Sequence, residues 1–80
     1  MPGTTPQPLT SLEVGQAATV VEIKLPPERR GRVLEMGLLA GTSVELVRFA
    51  PLGDPVEIKV RGYNLSLRKQ DAELILVRKK

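Results

Sequence analysis

Apolar residues along this 80-residue chain fall mostly two apart, in short runs broken by Gly and Pro. That is the pattern of half-buried strands rather than of long helices. The cleanest run is Pro55 to Arg61, where Val56, Ile58 and Val60 alternate with Glu57, Lys59 and Arg61 before Gly62 breaks it. Tyr63 to Arg68 repeats the alternation, with Leu65 and Leu67 on the inner phase. A strand over about Gln16 to Lys24 is less regular: Ala18 and Val20 share one phase, Val21 and Ile23 the other. Side chains on a strand alternate with period two, so this change predicts a bulge or a sharp curl. Thr42 to Ala50 predicts another strand, with Val44 and Leu46 on one face and Val47 and Phe49 on the other. The turn Pro51-Leu52-Gly53-Asp54-Pro55 joins it to the next strand as a hairpin. A helical or 3₁₀ turn over Lys69-Gln70-Asp71-Ala72 and a last buried strand over Leu74 to Val77 complete the pattern.

Only Pro27 to Met36 reads as a helix. Proline suits a first turn whose N–H has no acceptor, Glu28 complements the positive end of the helix dipole, and Gly37 supplies a C-terminal cap. Gly31 weakens this helix by about 1 kcal/mol relative to Ala, so it depends on tertiary support. Five short strands and one inserted short α-helix predict a mainly β domain, a small and partly open antiparallel barrel. Residues 1–8 carry three of the seven prolines and predict a flexible tail, residues 9–77 the barrel, and residues 78–80 a basic C-terminal tail.

Leu, Ile, Val and Phe make up 25 of the 80 residues, above the roughly 20% below which highly charged chains stay disordered, so the chain folds. Domains of this size often recruit disulfides or metals, but this one has no Cys and no His. The absences remove thiol nucleophiles, Ser-His arrangements and the simplest transition-metal sites, which argues against an enzyme. Nothing approaches a membrane span, and the N-terminus lacks the pattern of a signal peptide, so the expected location is the cytoplasm. The net charge of +3 resides in Arg78, Lys79 and Lys80, since the remainder holds nine basic and nine acidic residues. Those three charges would give at most a weak contact with an anionic membrane surface.

Several segments together resemble one family. Arg32-Val-Leu-Glu-Met-Gly-Leu-Leu-Ala-Gly41, Val44-Glu-Leu-Val, the Pro-Leu-Gly-Asp-Pro turn, Val56-Glu-Ile-Lys-Val-Arg-Gly62, Leu65-Ser-Leu-Arg68 and Ala72 are similar to FeoA, the small cytoplasmic component of bacterial ferrous iron uptake. The resemblance spans about Leu9 to Val77. It implies an SH3-like β-barrel with a helical insertion, and a role beside FeoB, a membrane ferrous-iron permease with a cytosolic GTP-binding domain. Such domains also resemble the C-terminal domain of iron-dependent repressors of the DtxR type, which leaves a metal-regulatory role as an alternative.

The functional expectation is a non-enzymatic accessory protein without a cofactor that binds a FeoB-type transporter. Arg29, Arg30, Arg32, Leu38 and Leu39 are the candidate contacts on the helix side, and Leu52 and Asp54 on the hairpin. The three arginines would also suit an arginine finger toward a partner's GTP site, although a solvated helix face explains them as well. The acidic residues show no ligand spacing, so no metal residues are assigned. A dedicated nucleic-acid site is disfavoured, because Phe49 and Tyr63 are the only aromatics and acids interleave with the bases. Two aromatics are equally too few for a proline-rich peptide groove. An exposed edge strand or hairpin leaves homodimerisation open.

Overall fold

The computed structural model describes residues 5–80. Six strands form one antiparallel sheet: β1 (Gln7–Pro8), β2 (Ala17–Ile23), β3 (Ser43–Phe49), β4 (Val56–Val60), β5 (Tyr63–Leu67) and β6 (Ile75–Lys79), in the spatial order β1-β6-β2-β3-β4-β5. Two helices interrupt it, α1 (Pro27–Glu35) and the single turn α2 (Lys69–Ala72). Short 3₁₀ turns lie at Leu9–Ser11 and Pro51–Gly53.

The sixth strand is β1, which falls inside the expected tail: Gln7 and Pro8 pair with Val77 and Leu76 of β6. Residues 1–4 of that tail lie outside the described residues. At the other terminus β6 runs through Lys79, with Arg78 and Lys79 paired to Thr19 and Ala18 of β2. The basic residues are therefore held in the ladder with exposed side chains rather than released as a tail.

A single sheet buries its inner face only if it curls, and two bulges supply the curl. In β2, Val20 pairs with Val77 and Glu22 with Leu76, leaving Val21 as the extra residue. The shift lets both Val20 and Ile23 point inward. In β3, Leu46 pairs with Ile58 and Arg48 with Glu57, leaving Val47 extra. Phe49 thereby lies opposite buried Val56 and packs against the core on the same side as Val44 and Leu46. The expected division of β3 into two apolar faces is corrected on this point, because the phase change marks a bulge. The interior joins Leu9, Leu12, Val20, Leu25, Val33, Leu46, Ile58, Ile75 and Val77 in one cluster.

The helix α1 contributes only Val33 to that core, so its ends are secured by other means. Gly37, at φ +95°, turns the chain out of the helix. The Leu38 N–H then bonds the Val33 carbonyl at 3.0 Å and the Gly37 N–H bonds the Leu34 carbonyl at 3.0 Å, a Schellman motif. The Tyr63 hydroxyl, reaching from β5, donates to the Met36 carbonyl. Buried Thr42 braces the following loop, its hydroxyl accepting from the Leu39 N–H at 3.2 Å.

A Cβ at residue 37 would lie 2.8 Å from the Tyr63 hydroxyl oxygen, in addition to the strain of the positive φ. Gly37→Ala is therefore expected to destabilise the fold by about 1–3 kcal/mol in urea unfolding. Combined with Tyr63→Phe, which removes the clashing oxygen, the loss should be smaller than the sum of the two single effects. Strict additivity would show that the two groups do not meet.

Candidate functional site

The proposed contacts separate into residues occupied within the fold and residues left over. Arg29 belongs to the first class: its Nε lies 3.0 Å from Asp71 Oδ1, an ion pair tying the first turn of α1 to α2. Asp71 is mostly covered, its side chain 15% exposed against 40% for Arg29. Asp54 is also engaged, since its Oδ1 accepts the Lys69 backbone N–H at 3.0 Å, satisfying one of the free donors at the start of α2. Arg30 uses Nη2 on the Ile23 carbonyl at 3.3 Å, securing α1 to the end of β2.

Leu38 departs furthest from expectation. It is fully buried, so it is a core residue and not a contact. The Schellman geometry explains this, because the residue two past the helix cap folds back onto the helix and here meets buried Val33. Its neighbour Leu39 is 45% exposed.

Arg32, Leu39 and Leu52 remain with no structural task inside the chain, and the structure adds Val14, Leu34 and Tyr63 to the exposed large apolar residues. Leu52 is the most unusual. It sits at the tip of the β3–β4 hairpin, 102% exposed, with φ +72°. A branched side chain in the left-handed region is strained, and Gly is the ordinary occupant of such a position. An apolar group held in strain and wholly in water gains nothing within this fold.

The helix and the hairpin tip are linked by two contacts, Asp54 with Lys69 and Arg29 with Asp71, whose pairing the sequence did not signal. Through Asp54 the hairpin holds the first residue of α2, and through Asp71 the same turn holds α1. Four residues of helix thus fix two candidate surfaces relative to one another. A shallow cleft lined by Asp54, Pro55, Arg68 and Gln70 lies beside this bridge. Among the described residues no three acidic side chains converge as metal ligands would. Among them, too, no helix is long and apolar enough to cross a membrane.

Removing the Asp54 carboxylate should release one end of the bridge. Asp54→Ala is expected to cost about 1 kcal/mol in unfolding free energy, the usual loss for a helix-start acceptor. A double-mutant cycle between Arg29→Ala and Asp71→Ala should give a coupling of about 0.5–1 kcal/mol that shrinks in 1 M salt. Zero coupling at low salt would remove the bridge.

Comparison with known proteins places these features in a lineage. A model of the FeoA domain matches residues 7–79. A fusion protein of Porphyromonas gingivalis, combining Fe(2+) transport protein A with the Fe(2+) transporter FeoB, is 41% identical over 69 residues, which cover 86% of this chain. The chain spans 8% of the length of that relative. The solution structure of FeoA from Chlorobium tepidum superposes with a TM-score of 0.87 at 37% identity, covering 91% of this chain and 70% of that one. A manganese-dependent transcriptional repressor shares the fold, with a TM-score of 0.88 at 16% identity over 99% of this chain and 39% of its own. The architecture is SH3-like.

Proposed function

The chain belongs to the FeoA family, and from that premise we propose that it acts at the cytoplasmic face of a FeoB-type ferrous-iron transporter, as a non-enzymatic accessory domain that docks on the transporter and modulates its gating, assembly or GTP cycle. The strained and fully exposed Leu52 carries the assignment of the docking surface. Strain that serves nothing within a fold is characteristic of functional positions. A partner pocket that buries Leu52 would recover its transfer free energy, about 1.5–3 kcal/mol for a leucine. In the fused relative the FeoA-like part and the transporter share one polypeptide, which supports association of this domain with a transporter of that type.

The contact is composite. Leu52 supplies the hairpin anchor, Leu39 a second apolar group beyond α1, and Arg32 a charge facing the partner's acidic groups. Buried apolar anchors with polar surroundings are the usual anatomy of such interfaces. Arg29 and Asp54 act indirectly, by holding α1 and the hairpin in register through α2. An arginine finger from Arg29 would first have to break its pair with Asp71, so Arg32 is the better placed of the two.

Leu52→Gly separates the proposed role from folding. Relief of strain offsets the added freedom of the unfolded chain, so stability should stay level or rise by up to about 1 kcal/mol. Co-purification with a transporter of the FeoB type should nonetheless fall at least tenfold, as loss of one buried anchor implies. Undiminished co-purification would remove the hairpin from the interface. The metal-regulatory alternative is tested separately: anaerobic Fe²⁺ titration of the ¹⁵N-labelled chain is expected to produce no localised saturable shifts. Saturable shifts confined to one cluster of residues would favour metal sensing instead.

A further inference from the structure

The two edges of the sheet are unequally protected. On one side β1 has two residues, one of them Pro8, and both features discourage another strand from pairing. On the other side β5 (Tyr-Asn-Leu-Ser-Leu) has five residues with no charge, no proline and no bulge. Edges of that kind are ready templates for strand addition.

The phase of the ladder identifies which groups are free. The β4–β5 turn is Arg61-Gly62, with φ of +52° and +90°, a two-residue hairpin loop flanked by the pair Val60 and Tyr63. In such a hairpin the flanking residues bond each other, and bonded and non-bonded pairs alternate from there. Tyr63, Leu65 and Leu67 therefore direct their backbone groups toward β4, whereas Asn64 and Ser66 direct an N–H and a C=O each away from the sheet. Among the described residues these four groups have no other hydrogen-bond partner.

We propose that β5 is a homodimerisation edge, pairing antiparallel with β5 of a second copy about a two-fold axis at Leu65. This inference is independent of transporter docking. In that register Asn64 lies opposite Ser66 of the second copy, and the reverse, so all four outward groups on each chain are used. Leu65 faces its own symmetry mate in the closely spaced non-bonded position. The segment is its own complement, which a strand of unrelated sequence is not.

The strand itself carries no charge, so no like charges meet between the paired residues. Leu65 is only half-buried in the single chain, and its pairing covers apolar surface left at the open edge. An interface of this length belongs to the weak class.

The test is a concentration series of the full chain, combining sedimentation equilibrium with residue-resolved amide exchange. For a dissociation constant of about 0.1 mM, mass action makes exchange of the Asn64 and Ser66 amides roughly fourfold slower at about 1 mM than at about 10 µM. Tyr63, Leu65 and Leu67, bonded within the chain, should show no such dependence. Ser66→Pro, which removes an outward N–H and leaves the β4 ladder intact, should be monomeric throughout. Should that variant fail to fold, exchange in the unaltered chain decides alone. A monomer up to about 1 mM, or a dimer whose Asn64 and Ser66 amides exchange at the monomer rate, overturns the proposal.

Discussion

A single six-stranded sheet has to cover its own inner face, and this constraint governs the rest of the molecule. The chain has no Cys to form a disulfide that would draw its parts together, and among the described residues there is no second sheet to pack against. Curling is the remaining solution, and curling a sheet requires places where one strand is longer than its neighbour. Val21 and Val47 are those places. Each is an extra residue that bends its strand while returning the next apolar side chain, Ile23 or Phe49, to the interior. Flatten either strand and half of its apolar residues would face water, since a one-residue slip inverts the pattern.

Curling without closing leaves β5 as an open edge, and α1 has to be tied to the curled sheet. With little apolar burial of its own, α1 depends on polar ties: the Tyr63 hydroxyl at its C-terminus, Arg30 on the Ile23 carbonyl, and Arg29 on Asp71. Each tie reaches a different element, so the helix is located by its ends rather than by its face. The same economy applies to α2, which is too short to persist alone. Asp54 fixes its start, Ala72 is fully buried, and Asp71 in turn fixes α1. These are polar contacts at or near the surface, each worth little individually. Their effect is positional, setting the distance between hairpin tip and helix.

What the sequence disclosed follows the range of the interactions involved. The β4 alternation, the bulge in β2, and the stop of α1 at Gly37 are encoded within a few residues and were legible. The β3 bulge was encoded equally locally in the phase change after Leu46, yet two apolar phases in one strand read naturally as two faces until the register with β4 is known. Leu38 has a local explanation as well: a glycine cap with an apolar residue following it is the pattern of a chain folding back onto its helix. The Arg29–Asp71 and Asp54–Lys69 contacts join residues 42 and 15 positions apart, and nothing in composition or spacing marks them. β1 escaped notice because two residues cannot display a period. Family resemblance conveyed the architecture and the transport system, but not which candidate side chains were already committed inside the fold.

That division bears on how a domain of this size accommodates a partner. In a minimally frustrated chain each local preference agrees with the whole, so the positions that disagree are informative. Two stand out. Gly31 lies inside α1 with no atom within 4 Å of where its Cβ would be, so no close packing within the chain requires a glycine there. Leu52 is the converse, a large side chain where backbone conformation favours glycine. Exchanging the two preferences would strengthen both the helix and the hairpin. The fold keeps its weaker helix and its strained hairpin on surfaces that α2 holds in fixed relation. A stabilising requirement inside the chain explains neither residue, which is why the proposed docking surface rests on Leu52 and not on the better-secured side chains around it.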